Sequence, residues 1–393
     1  MTSSMAVIGA GASGLASLWA FEKAQRAGAK KPEIVCYEKQ SDCGGLWNYV
    51  WRTGLDEFGE PVHSGIVVRW VEFDDKSDKF TVTVKDLQSD IVHTEQFDWV
   101  VVATGHFSIP NYPEFPGMDS FPGRVVHSHD FRNAADFAGK RVLIIGRSYS
   151  AEDIAIQCFK YSCQSVTISY RSRPFGFKWP DGITEKPLLR ELRDATAYFV
   201  DGSSADVDAI IMCTGYQHHF PFLSDHLRLK TANVWYPLGL YKGIFWHHNT
   251  KSIYLGMQNQ WFTFPLFDAQ AWYARDVILG KIKLPKVEER ENDMAKWSGR
   301  EQAWTQAEKD AGVFMFFQAD YMRDLLDATD YPQFDIDGMI RIFEDWERHK
   351  REKEGVLEYR DHTHRSVMTD TTARIHHTKW LHEMDDTLEN FVH

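Results

Sequence analysis

The sequence predicts an α/β protein built on two Rossmann-like dinucleotide-binding units, and three observations predict it. Near the start, the apolar run Met5-Ala-Val-Ile meets Gly9-x-Gly11-x-x-Gly14 and then an alanine- and leucine-rich helical pattern. Later, Lys140-Arg-Val-Leu-Ile-Ile repeats that plan with Gly146, Ser148 and Ala151 at the glycine positions. Two further apolar strands end alike, Val-Val-Ala-Thr-Gly105 and Met-Cys-Thr-Gly215, one near each end of the second unit. In such a turn the first glycine permits a sharp bend and the second lets backbone approach a pyrophosphate. The third lets helix pack on strand. The free N–H groups and positive dipole end of the helix then face the phosphates.

In the first unit, Ile34-Val35-Cys36-Tyr37 reads as the second strand, with Glu38 at its end placed to accept from a ribose 2′-OH. In the second unit, Ser165–Tyr170 occupies that position and ends in Arg171-Ser-Arg173. An acid favours a free 2′-OH, whereas arginine and serine accommodate a 2′-phosphate. The first turn therefore fits FAD and the second NADPH. Ser148 and Ser150 add hydroxyl donors to phosphate.

Between these units the chain is less regular. Cys43-Gly44-Gly45-Leu46-Trp47 is either a turn whose backbone and indole close over a flat cofactor or a plain loop with a packed Trp. Ile66–Phe73 and Lys79–Val84 alternate as strands around the turn Asp74–Ser77, and Asp98–Gly105 is a buried strand with a small-residue end. A doubly wound sheet needs a helix and another parallel strand before this hairpin, yet residues 39–65 offer no amphipathic helix. The prolines at 110, 113 and 116 suit a crossing between domains. Ser252–Met257 is another strand, followed by Gln258–Thr263 and a helix over Phe267–Leu279 that offers its N-terminus to a flavin or its pyrophosphate. Three charged helical stretches follow, Lys286–Ala311, Phe314–Ala328 and Ile336–Lys353, with the aromatics from Phe314 to Tyr321 read as core.

The chain has 393 residues, enough for two domains, with 43% hydrophobic and 25% charged residues, ordinary for a globular protein. A net charge of −12 argues against nonspecific binding to nucleic acid or an anionic membrane. Five cysteines form no CxxC and no even framework, which points to a reducing compartment and against a disulfide reductase. No run approaches a membrane span and the N-terminus lacks the form of a signal peptide, so a cytoplasmic setting is expected. The adjacent His pairs at 218, 247 and 376 lack partners at metal spacing, and no metal is expected.

Phe121-Pro-Gly123-Arg-Val-Val-His127-Ser-His-Asp-Phe131 has the form F-x-G-x-x-x-H-x-x-x-F/Y and, with the flanking motifs, resembles the flavin-containing monooxygenases. Phe131 is followed by Arg132 rather than by the Trp-Pro ending of the similar Baeyer–Villiger enzymes. Trp51–Asp56, Ser148–Asp153, Gln258–Thr263, Phe267–Trp272 and His376–Trp380 look like the bacterial branch that includes trimethylamine monooxygenase. The resemblance implies an FAD domain of residues 1–107 and 218–393 with an NADPH domain, 108–217, inserted between. By motif match, FAD contacts would fall on Gly9, Gly11, Ser13, Gly14, Glu38, Gln40, Leu46, Trp47, His63, Val68, Gln260 and Thr263. NADPH contacts would fall on Gly146, Ser148, Ser150, Arg171 and Arg360. His127 would hold the interdomain linker.

The implied activity is NADPH- and O2-dependent oxygenation of soft nucleophiles through a C4a-hydroperoxyflavin, with trimethylamine as substrate and sulfides and indole as further ones. No side-chain nucleophile is needed, and a homodimer is the expected assembly. One departure stands out. After Pro61-Val-His63-Ser64 the sequence passes directly to Ile66-Val-Val-Arg-Trp, so a βαβ-sized piece of the family pattern is absent. In the family that piece carries an asparagine supporting the oxygenated flavin and the nicotinamide. Either the chain carries a deletion or the sequence is incomplete. A deleted chain would be an uncoupled NADPH oxidase or a non-catalytic nucleotide-binding remnant.

Overall fold

The computed structural model describes residues 3–48, 65–352, 355–358 and 364–372. They fall into two compact units, residues up to 106 with 218–333, and 107–217 with the residues from 334 onward.

In the first unit, β1 (Ser4–Ile8) leads through the glycine turn into α1 (Ala12–Arg26) and back into β2 (Glu33–Tyr37), parallel to β1. Then β3 (Ile66–Asp74), β4 (Lys79–Asp86) and β5 (Val92–Phe97) make an antiparallel three-stranded sheet, followed by β6 (Trp99–Val102), parallel to β1. The sequence pattern anticipated β3 and β4. It missed β5, where Val92-His-Thr-Glu-Gln-Phe97 buries Phe97 alone.

The second unit opens with β7 (Ile109–Pro110), β8 (Arg124–His127) and β9 (Arg141–Ile145), then α2 (Tyr149–Lys160), β10 (Ser165–Ser169) and β11 (Ile183–Lys186). A small antiparallel sheet that the sequence reading lacked follows, β12 (Leu189–Arg193), β13 (Thr196–Phe199) and β14 (Ser204–Asp206). The unit returns through β15 (Ala209–Met212) and β16 (Tyr216–Gln217). β9, β10, β11, β15 and β8 form one parallel sheet. β16 pairs with β7, so the two crossings of the chain are joined as a ladder. His127 is buried at the end of β8, edge-on to Tyr216, and its Nδ1 accepts from the His129 N–H at 3.0 Å. It packs against that ladder.

Back in the first unit, β17 (Leu240–Tyr241), β18 (Phe245–Trp246) and β19 (Ser252–Tyr254) complete a six-stranded sheet in the order β17-β18-β19-β6-β1-β2. Its parallel part ends at β2, and among the described residues no strand pairs with the outer edge of β2. This is the place where the sheet lacks the expected further strand. Helix α3 (Thr263–Ile278) starts four residues earlier than its apolar pattern suggested, because Pro265 in the first turn has no N–H to leave unsatisfied.

The single helix expected over Lys286–Ala311 is two, α4 (Val287–Gln302) and α5 (Gln306–Asp310). Thr305 starts a new helix: its hydroxyl accepts from Glu308 N–H, and the Glu308 carboxylate accepts from Thr305 N–H at 2.7 Å. α6 (Val313–Leu326) buries Phe317 and Tyr321 as core, while Phe316 is exposed.

Helix α7 (Ile336–Arg351) corrects the expected domain boundary. The described residues from 334 group with 107–217 rather than with 218–333. The reason is local: Lys350 of α7 pairs with buried Glu152 of α2, and Val356 just beyond packs on Ile156. No described helix is long and apolar enough to cross a membrane.

At the C-terminal end of β6, His106 is buried and stacks on His218 with ring centroids 4.6 Å apart. Its Nδ1–H donates to Gly256 O at 3.0 Å, and His218 Nε2–H donates to Met257 O at 3.2 Å. The pair ties the end of β6 to the segment after β19. Burial, with His218 adding to it, pushes the His106 pKa down to about 4. The unfolded chain therefore binds this proton more readily. Stability due to His106 is complete above pH 6.5 and is lost as the pH falls toward 4. Between pH 7 and pH 5 the wild-type chain should lose about 2 kcal/mol more than His106→Asn, read by denaturant unfolding at both pH values. Equal losses would exclude His106 as the source.

Candidate functional site

The register of each sheet brings a glycine turn beside the end of the neighbouring strand. Ile8 pairs with Tyr37, and Gly9 N–H donates to Tyr37 O at 2.8 Å. In the second unit Ile145 pairs with Ser169, and Gly146 N–H donates to Ser169 O at 2.9 Å. On the other side, Ala103 N–H donates to Ile8 O and Cys213 N–H to Ile145 O. Both first glycines have positive φ, +99° and +133°. A Cβ on Gly9 would lie 2.7 Å from Ala103 O, and one on Gly146 2.2 Å from Cys213 O. No other residue fits either turn.

Gly14 packs α1 onto this turn, since a Cβ there would stand 2.0 Å from Gly9 O. Gly11 differs. A Cβ there meets nothing nearer than Gly45 Cα at 3.7 Å, so the space in front of the turn is open. Gly11 caps α1 without a side chain, and Ser13 is buried in its first turn. Glu38 reaches back to the turn, its carboxylate accepting from Ala10 N–H at 2.7 Å and Gln40 N–H at 2.9 Å. Those two bonds fix its orientation at the end of β2. Gln40 Oε1 is buried and has no partner among the described residues.

The strand of contacts continues through Gly44, whose N–H donates to Ala10 O at 2.9 Å and which bridges Gly11. Leu46 and Trp47 follow, 73% and 68% exposed, with Trp47 4.9 Å from the ring of Phe264. Trp47 is thus not a core residue, and its ring packs on Phe264 near the surface. Gln260 lies on the segment after β19, where its Nε2–H donates to Gly256 O at 2.8 Å, and Thr263 opens α3. Gln318, missed in the sequence, holds this segment by accepting from the N–H groups of Trp261 and Phe262 at 2.6 and 2.9 Å. Gln270 does the same for Gly256 N–H at 2.8 Å. Val68 is apart from these: its side chain lies in the hydrophobic core with Val71, Val84 and Phe97, and a ligand could meet only its backbone. His63 lies outside the described residues, as does Arg360.

In the second unit Ser148 is the N-cap of α2 and makes no side-chain capping bond, and Ser150 is half-buried in the first turn. Arg171 stands exposed just past the end of β10. Arg147 joins it. Its Nε–H donates to Pro174 O at 3.1 Å and its guanidinium lies 5.1 Å from the Phe175 ring. The basic residue next to Gly146 was the sequence signal for it. Arginines 147 and 171 thus flank the end of β10, where the first unit has Glu38. Among the described residues no cluster of His, Cys, Asp or Glu could hold a metal ion.

Two family models match the chain: pyridine nucleotide-disulphide oxidoreductase over residues 29–181 and flavin-binding monooxygenase-like over 181–332. The first name is that family's, since all five cysteines here are free and none form a CxxC. The chain is 51% identical to a trimethylamine monooxygenase of Methylocella silvestris, covering 98% of this chain and 97% of that protein. It is 46% identical to one from Roseovarius sp., covering 99% and 98%. Among solved structures it matches the crystal structure of Tmm from Pelagibacter sp. strain HTCC7211, with TM-score 0.92, 41% identity and coverage of 99% and 100%. The alignment with the Methylocella silvestris protein runs over 447 positions against 393 residues here, so that relative carries sequence this chain lacks. With its two nucleotide turns and near full-length similarity, the chain belongs to the flavin-containing monooxygenase family, in its trimethylamine monooxygenase branch.

Proposed function

We propose that this protein is an NADPH- and O2-dependent monooxygenase that converts trimethylamine to its N-oxide, with sulfides and indole as further substrates. The observation that carries the reading is a pair of dinucleotide turns with opposite charge at the ribose position, on a chain 51% identical to a trimethylamine monooxygenase. The residues fit FAD at the first turn. The open space before Gly11, the fixed Glu38 carboxylate and the unpartnered Gln40 Oε1 suit a pyrophosphate, a free 2′-OH and a ring donor. They fit NADPH at the second, with Ser148, Ser150, Arg147 and Arg171 presenting donors to its phosphates.

Bound flavin supplies the redox chemistry. Overall, NADPH, a proton, O2 and trimethylamine give NADP+, water and trimethylamine N-oxide. This chain's residues bind and orient. Leu46, Trp47 and Phe264 offer an apolar, aromatic surface that keeps water from a flat ring and a soft amine. Gln260 and Thr263 bring polar groups and the start of α3 to the same segment. Five free thiols support a reducing, cytoplasmic setting. A homodimer is the expected assembly, which light scattering of the purified protein tests.

A second reading is favoured by one observation. Among the described residues the parallel sheet ends at β2, and the Methylocella silvestris relative carries sequence this chain lacks, so a chain that truly lacks the segment would have a less enclosed flavin. That chain would oxidise NADPH slowly and release hydrogen peroxide.

Three measurements test these assignments. Arg171→Ala should raise the KM for NADPH about tenfold or more while barely changing that for NADH, as a charge-assisted phosphate contact requires. Equal loss with both would exclude the 2′-phosphate role. Gly11→Val should fold, because its Cβ has room, yet retain no flavin because its methyl groups fill the pyrophosphate space. A yellow variant would move the flavin elsewhere. Finally, NADPH, peroxide and trimethylamine N-oxide measured together decide between tight coupling and oxidase activity. Tight coupling in a chain whose intact mass matches these 393 residues would show the segment dispensable.

A further inference from the structure

The two nucleotide turns differ in a way that their ligands do not explain. The first turn of α1 contains no acid, and Leu15 follows Gly14. At the equivalent place after Ala151, α2 carries Glu152. A carboxylate there stands within one turn of the N–H groups that would receive a pyrophosphate, and its charge opposes the ligand's. It is also 2% exposed, so water does not screen it.

Lys350 answers that charge. Its Nζ lies 2.9 and 3.1 Å from the two Glu152 oxygens and 3.2 Å from Glu347, and the residue is 0% exposed. The ammonium sits 3.7 Å from the Trp346 ring, 4.8 Å from that of Tyr149 and 5.9 Å from that of Phe177. Ring faces stabilise a cation removed from water. Lys350, Trp346 and Glu347 come from α7, almost two hundred positions from α2 along the chain, so local helix chemistry does not demand this contact.

We propose that Lys350 is a positioning residue for the dinucleotide: by cancelling the charge of Glu152 it leaves the N-terminus of α2 positive toward a pyrophosphate. The proposal rests on the reading of the second turn as the NADPH site. Lys350 acts through Glu152 and touches no ligand. A purely mechanical role, holding α7 on α2, would make different predictions.

Steady-state kinetics with the FAD-loaded enzyme separate the two. Lys350→Met should raise the KM for NADPH about tenfold, with kcat at saturating NADPH within about twofold and flavin content unchanged, because a buried charge has lost its partner. The double variant Glu152→Gln/Lys350→Met removes the two fully buried charges at similar volume, leaves Glu347 to solvent and to Arg351 at 3.9 Å, and should return the KM to within about threefold of wild type. An unchanged KM in Lys350→Met overturns the proposal. So does a double variant as impaired as the single, which would make Lys350 a mechanical tie. If Lys350→Met does not accumulate, the double variant decides alone: a KM within about threefold supports charge cancellation, and a tenfold rise overturns it. Ser148→Ala and Arg171→Ala, run beside these, isolate the underlying reading. If they leave the KM for NADPH unmoved, the site assignment has failed. If they raise it while Lys350→Met does not, only the role of Lys350 has.

Discussion

The structure depends on one close approach made twice. At the end of the first strand of each unit, a glycine with positive φ lies against the carbonyl at the end of the adjacent parallel strand, Gly9 on Ala103 and Gly146 on Cys213. A side chain at either position would drive that strand away. The sheet would then lose the N–H bonds that Ala103 and Cys213 make to the first strand. Acidic residues repeat the arrangement at the other end of the same strands. The Asp98 carboxylate accepts from Ser4 N–H at 2.7 Å and that of Asp208 from Arg141 N–H at 2.8 Å. In both units the crossing strand is thus clamped to the first at its start and pressed on the turn at its end. The open space at the helix N-terminus follows from that clamp.

On this common frame, charge at the end of the second strand separates the two ligands. Glu38 is held by two backbone N–H groups, which orients its carboxylate and leaves lone pairs for a hydroxyl. In the second unit Arg147 is braced on Pro174 and Phe175, in the loop that follows Arg171, so its guanidinium is held in place. A guanidinium ordered in advance loses less freedom when a phosphate arrives. On the proposed reading, the same frame would accept one dinucleotide and penalise the other.

Much of this was legible in the sequence, because the turns are local. A strand, a spaced set of small residues and a helix follow one another without interruption, over Ser4–Arg26 and Arg141–Lys160, and each residue's task is set by its neighbours. Thr305-x-x-Glu308 was equally local and marked the break between α4 and α5, although the continuous charged pattern around it reads as one helix. What could not be read was pairing at a distance. Nothing near Lys350 says that it will meet Glu152, and so α7 looked like part of the first unit's C-terminal region. Gln318 and Gln270 are likewise ordinary helix residues until the segment after β19 is laid beside them. Val68 is the opposite case: the motif match names it as a contact, while its side chain lies in the core, so only its backbone is left to meet a ligand.

The edge at β2 bears on the chemistry more than on the fold. Tyr37 is buried there and donates to Glu95 at 2.8 Å, so the antiparallel sheet braces the strand from within its own unit. The outer residues Ile34, Val35 and Cys36 are only half-buried. Among the described residues no further strand covers this edge. Oxygen transfer asks for more than a closed fold. Hydride delivery needs two dinucleotides in place, for which the clamped turns would serve on the proposed reading, whereas oxygenation needs water kept from the flavin ring. Leu46 and Trp47 stand largely exposed and Phe264 about half so, and they form apolar surface that a flat cofactor would cover from one side. The two requirements are thus separable in this protein, one met by the backbone geometry of the glycine turns and the other by whatever encloses the aromatic surface.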